Sequence, residues 1–192
     1  MKNLFSKKIW LLVLVLCFAP LSFAQNYKEG SNRLSLMLGA GIPDSEVQGV
    51  EWGKTGFGFG AQYLHYLSEN IAFGAEAQSI NFGKEKDTDI EVDINNIAFA
   101  GRLNVNINEL QRIYIPMGLG IANIKGKRGE ISYEDSPLMG YVGLGLEADI
   151  DYLSDHFVFG IEGRYHWAHF DSDGIDEKVR YFSVLAMLGY RF

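Results

Sequence analysis

The chain has 192 residues, with 17 basic and 24 acidic side chains, a net charge of −7 and a single cysteine, Cys17. This acidic balance argues against nucleic-acid binding, which needs a basic footprint. Mean hydropathy is near neutral at −0.02, and no stretch beyond the first two dozen residues is apolar enough to suggest a transmembrane helix.

The N-terminal segment carries Lys2, Lys7 and Lys8, then an unbroken apolar run over 9–18. Ser22 and Ala24 supply small residues at the −3 and −1 positions of a cleavage site. A cleaved secretory signal peptide over 1–24 is expected, leaving a single barrel domain over 25–192. Cys17 follows Leu16, where a lipoprotein acylation site needs a small residue, so it reads as filler of the apolar run. Processing leaves 14 basic and 24 acidic groups and no thiol. A cysteine-free exported chain must be held by a large sheet or by a membrane.

Period-two alternation predicts eight strands: 32–42, 56–67, 71–82, 94–107, 113–124, 139–152, 157–169 and 179–192. Short polar connections near 68–70, 108–111 and 153–156 alternate with longer charged ones over 43–55, 83–93, 125–137 and 170–178. Short turns at one end and long loops at the other predict an all-β fold, an eight-stranded antiparallel up-and-down transmembrane β-barrel. Pro116 lies in the fifth strand, so it is expected at a bulge or near the strand start. The segment 143–148 matches G-x-G-x-x-A, but the alternation runs straight through it and no helix starts there.

Each strand has an apolar face and a face of glycine and polar residues. Arg33, Glu76, Arg102, Glu147, Glu162 and Arg164 all fall on the second face. An arginine facing lipid at mid-depth costs about 2–4 kcal/mol, so this face should line the lumen. Eight strands enclose a space barely wider than the side chains that fill it. Cross-strand ion pairs among these six residues are therefore expected. They would form a polar plug; the competing reading is a gate whose pairs exchange partners to pass ions.

Other candidates are weaker. Asp171, Asp173, Asp176 and Glu177 resemble half of a calcium loop but lack the full ligand spacing, so a solvated loop is the simpler reading. His166 and His169 are three apart and should point to opposite faces of a strand, which argues against a shared metal. No metal, cofactor or catalytic group is assigned. Aromatic residues gather near strand ends, as interfacial girdles require. Lys125, Lys127 and Arg128 in the third long loop offer contacts to lipopolysaccharide phosphates, though acids follow them closely.

The mature chain resembles the small bacterial outer-membrane β-barrels, including OmpA-type transmembrane domains and OmpX. The closing strand carries the most specific element of the resemblance, with Tyr190 and Phe192 on one face and Phe192 at its end. The resemblance implies the bacterial outer membrane and an assembly signal at Tyr190 and Phe192 read by the barrel-assembly machinery. It also implies contact with outer-membrane lipid and lipopolysaccharide, and a non-enzymatic role in envelope integrity or surface interaction with an unknown ligand. No periplasmic peptidoglycan-binding domain is expected, and a monomer is. A narrow porin or conduit for small solutes or hydrophobic molecules is the alternative function. An enzyme modifying outer-membrane lipid is the third.

Overall fold

The computed structural model describes residues 29–44, 46–47, 50–51, 54–83, 90–108, 110–128, 131–150, 156–172 and 175–192. The expected signal segment lies outside them. Every helix or strand among these residues is a strand: β1 (Asn32–Pro43), β2 (Glu46–Val47), β3 (Val50–Glu51), β4 (Gly56–Tyr66), β5 (Ile71–Phe82), β6 (Ile90–Asn106), β7 (Gln111–Arg128), β8 (Ile131–Asp135), β9 (Leu138–Asp149), β10 (Phe157–Ser172) and β11 (Ile175–Arg191). Eight of them, β1, β4, β5, β6, β7, β9, β10 and β11, pair in chain order, and β1 pairs with β11 to close the ring. All these pairings are antiparallel. This is the eight-stranded up-and-down barrel that the alternation predicts. Closure leaves no edge strand among the eight, which is how a sheet satisfies its backbone in hydrocarbon. At the seam, Asn32 N–H donates to Phe192 O at 2.8 Å and Phe192 N–H returns to Asn32 O at 3.0 Å.

The connections follow from local chemistry. Asn108 Oδ1 accepts from the backbone N–H groups of Leu110 and Gln111 at 2.9 and 2.8 Å, a side-chain turn that lets β6 reverse into β7 within four residues. At the opposite end β2 and β3 form a small hairpin, and β8 folds back on β7.

Strands run further toward the long-loop end than alternation suggests. β6 starts at Ile90 and β7 continues to Arg128. The region 170–178, expected as a long loop, is largely strand: β10 reaches Ser172 and β11 begins at Ile175, with Phe170 opposite Glu177. A backbone ladder already running beside a partner strand continues through polar side chains that would not start one. Pro116 is also corrected. It sits at neither a bulge nor the strand start, because β7 begins at Gln111 and its register to β9 resumes at Met117↔Val142 without an inserted residue. The β7–β9 ladder instead runs from Tyr114↔Gly145 to Met117↔Val142 with no rung at Pro116, which has no N–H to give.

Outward side chains define the lipid belt. Ile97, Ile121 and Leu138 share one rung and are 71, 59 and 61% exposed. One rung further toward the long loops, Asn95 faces Asn123, and Asp93 then faces Lys125. The outward face thus changes from apolar to polar between Ile97↔Ile121 and Asn95↔Asn123. Inward, two tyrosines lie over glycines: a Cβ on Gly145 would meet the Tyr114 ring at 2.1 Å, and one on Gly118 the Tyr141 ring at 2.3 Å. These two glycines let the rings lie against the lumen wall.

Gly145→Ala is expected to lower barrel stability by about 1–3 kcal/mol through overpacking, and Tyr114→Leu in the same chain to restore part of it. Urea titration followed by heat-dependent gel mobility checks this; equal midpoints for Gly145→Ala and wild type would contradict it.

Candidate functional site: the ion-paired lumen

The inward faces bring buried charges into two tiers, both with almost no solvent exposure. In the tier nearer the short turns, Glu147 on β9 meets three guanidinium groups. Arg33 Nη1 from β1 lies 2.7 Å from Oε2, Arg112 Nη1 from β7 lies 3.2 Å from Oε1, and Arg102 of β6 pairs with Oε2. Two residues along β9, Asp149 accepts both Nη groups of Arg112 at 2.8 and 2.6 Å, and lies 3.1 Å from Arg191 of β11. Arg102 is further fixed by Nε donating to Asn104 at 2.6 Å, and by stacking 3.4 Å above the Tyr114 ring. Cation and ring attract most strongly where water is excluded.

The second tier inverts the ratio. Arg164 on β10 donates to both oxygens of Glu76 on β5, at 2.5 and 2.9 Å, and its Nη2 is 2.6 Å from Glu162. Glu76 also accepts from Gln62 Nε2 at 2.8 Å and Tyr141 Oη at 3.2 Å, while Arg164 lies 4.4 Å from the Tyr141 ring centroid. Gln62 joins the tiers, since its Oε1 accepts from Arg33 Nη2 at 3.3 Å. A carboxylate held by a guanidinium fork and further donors is a strong, directional arrangement in a dry interior.

Toward the long-loop end the filling becomes neutral. His166 stacks on Tyr181 at 4.2 Å between ring centroids and bonds through Nε2 to Ser183 Oγ at 2.9 Å. Above it Ile80, Phe82, Val92, Ile94, Ala122, Ile124, Met139, Ala168, Val179 and Tyr181 form one buried apolar cluster. At the short-turn end Leu64, Tyr66, Ala72 and Ala100 form another. Leu64 stands beside Arg33 and Ala72 beside Arg102, so this smaller cluster flanks the first tier, while the larger one lies beyond the second toward the long loops.

Arg33, Glu76, Arg102, Glu147, Glu162 and Arg164 all point into this lumen, and the structure divides them between the two tiers. Sequence reasoning passed over Arg112, Asp149, Arg191 and Gln62. Asp149 and Arg191 already lay on the polar face of their strands. Arg112 lies one residue before the start that alternation gives the fifth strand, whereas β7 begins at Gln111. Tyr190 and Phe192 face outward, 44 and 60% exposed, with Tyr190 against Phe157 at 5.3 Å and Phe192 at 6.3 Å. The side chains of Asp171, Asp173, Asp176 and Glu177 lie outside the described residues. His166 is buried and His169 exposed, on opposite faces.

The tiers make unequal predictions for arginine removal. Arg164→Ala leaves Glu76 and Glu162 in a dry lumen without a guanidinium, and should cost about 3–5 kcal/mol. Arg102→Ala leaves Glu147 with Arg33 and Arg112, and should cost clearly less. Unfolding midpoints of the two variants in the same detergent check the order; a larger loss for Arg102→Ala would overturn the tier assignment.

Solved structures share the architecture. Neisserial surface protein A superposes with a TM-score of 0.69 at 11% identity, covering 85% of this chain and 100% of that one. OprG from Pseudomonas aeruginosa gives 0.59 at 11% identity, covering 88 and 99%. Ail, the attachment invasion locus protein of Yersinia pestis, gives 0.56 at 21% identity, covering 85 and 99%. No curated protein matches significantly. Residues 9–192 match the family described as the outer membrane protein beta-barrel domain. The closed eight-stranded ring and this match over nearly the whole sequence place the chain in that family of outer-membrane β-barrel proteins.

Proposed function

We propose that this barrel is a non-enzymatic outer-membrane protein with a solid lumen, acting through its long loops and outer rim in envelope integrity or surface interaction. One observation carries the reading. Arg33, Glu76, Arg102, Arg112, Glu147, Glu162 and Arg164 are each at most 4% exposed, although they line the space where a pore would run. Ions crossing a lumen must replace their hydration with lining groups. Here those groups are engaged with one another, and an apolar cluster fills the space on the long-loop side.

The long connections and the strand extensions beyond the lipid belt provide the outward surface. We assign recognition by the barrel-assembly machinery to the outward pair Tyr190 and Phe192, whose aromatic rings lie on β11 beside the seam with β1. The protein works as a monomer in this reading, since a single chain closes the barrel.

Planar-bilayer conductance of the folded protein tests the proposal, with heat-dependent gel mobility confirming a formed barrel. The wild type should be silent. Reproducible steps that change size in Arg102→Ala would establish the narrow-pore alternative instead.

A further inference from the structure

Buried guanidinium outnumbers buried carboxylate near the short turns. Among the described residues, Arg33, Arg102, Arg112 and Arg191 share Glu147 and Asp149 there. Three of these arginines converge on Glu147, so each receives only part of one negative charge. In a dry interior such an excess is costly unless a further anion offsets it.

Arg102 shows where the deficit falls. Its side chain is almost fully buried; Nε donates to Asn104 Oδ1 and Nη2 pairs with Glu147. Its Nη1 is also buried and meets no acceptor among the described residues. The guanidinium stacks on the Tyr114 ring, and the hydroxyl of that tyrosine is likewise buried without a hydrogen-bond partner among them. Arg33 is a further electrostatic neighbour of Arg102, and Glu162 of Tyr114. Glu162 lies 2.6 Å from Arg164, which takes up its charge. Two buried donors, one from β6 and one from β7, thus border one space in a region of net positive charge. A water molecule would satisfy both donors and leave the charge unmatched.

A polar lane leads to this space from the short-turn end. Arg102, Asn104 and Asn106 take successive inward positions on β6, with Tyr114 opposite Asn104 and Arg112 opposite Asn106. Asn104 is buried and Asn106, nearer the rim, half-buried.

We propose that the first tier binds one small monovalent anion, of the size and charge of chloride, through Arg102 Nη1 and Tyr114 Oη. The ion exchanges with solution past Asn104 and Asn106. A spherical ion accepts from an N–H and an O–H together without the planar match that a carboxylate or phosphate requires. Leu64, Tyr66 and Tyr114 are completely buried, and this close packing favours a single atom over a polyatomic anion. The inference goes beyond the plug reading, because it concerns what completes the charge of the tier.

Urea unfolding of the barrel in zwitterionic detergent, followed by heat-dependent gel mobility, tests this at constant ionic strength with chloride replacing gluconate. A ligand held only by the folded state stabilises it in proportion to the logarithm of its concentration once the site is filled. Wild type should show that rise, and so should Lys125→Gln, which removes an exposed cation. Tyr114→Phe should need on the order of tenfold more chloride for the same gain, and Arg102→Gln should show no gain. Phosphate in place of chloride should not reproduce the effect. Wild-type midpoints indifferent to chloride, or an equal rise in Tyr114→Phe, would overturn the site. The Tyr114→Phe comparison decides the matter even if Arg102→Gln fails to fold. An equal gain from phosphate would overturn the monoatomic ion. Conductance enters none of these readings, so the plug reading and the anion site fail separately.

Discussion

Closing a sheet of eight strands on itself leaves a lumen that side chains must fill, and the rest of this structure follows from that confinement. A charged group pointing inward has neither water nor lipid headgroups to solvate it. Each buried carboxylate must therefore meet guanidinium or amide donors inside the lumen, on another strand for Glu76 and Glu147 and on its own strand for Glu162. Glu147 draws arginines from β1, β6 and β7; Glu76 on β5 meets an arginine from β10 and an amide from β4. Confinement also explains the pairing of glycine with tyrosine, because a ring can lie against the wall only where the wall has no side chain.

Such pairs are weak evidence of net stabilisation, since withdrawing both charges from water costs nearly what their attraction returns. Their stronger consequence is specificity. Slipping β1 by one residue against β11 would turn Arg33 to lipid and Leu34 inward. The register Arg33↔Arg191 places both guanidinium groups in the lumen, where Glu147 and Asp149 wait on β9. Among the described residues, the tier near the short turns holds four arginines to two carboxylates, and the second tier one arginine to two carboxylates. The bridge from Arg33 through Gln62 to Glu76 couples the tiers. Positive and negative excess thus sit within one connected network.

Much of this architecture is legible in the sequence. Alternation of period two marks all eight membrane strands, and the cost of arginine in lipid assigns the polar face to the lumen. Which residues pair was not legible, because that depends on the stagger between strands far apart in sequence; Arg33 and Glu147 are 114 residues apart. Arg112 escaped because strand starts are poorly marked when the first inward residue is charged. Pro116 misled because a missing rung, unlike a bulge, leaves no trace in the alternation. The outer extensions of β6, β7, β10 and β11 escaped because their outward residues are polar, as residues above the lipid belt should be.

The central claim is that buried carboxylate and guanidinium act on each other across the lumen. A double-mutant cycle between Arg164 and Glu76, using Arg164→Met and Glu76→Gln in the folded barrel, measures that directly. The account predicts a coupling energy of about 2 kcal/mol or more, the range for contacting groups in one network. Single losses that add within about 0.5 kcal/mol would show two independent side chains, and would contradict the ion-paired lumen.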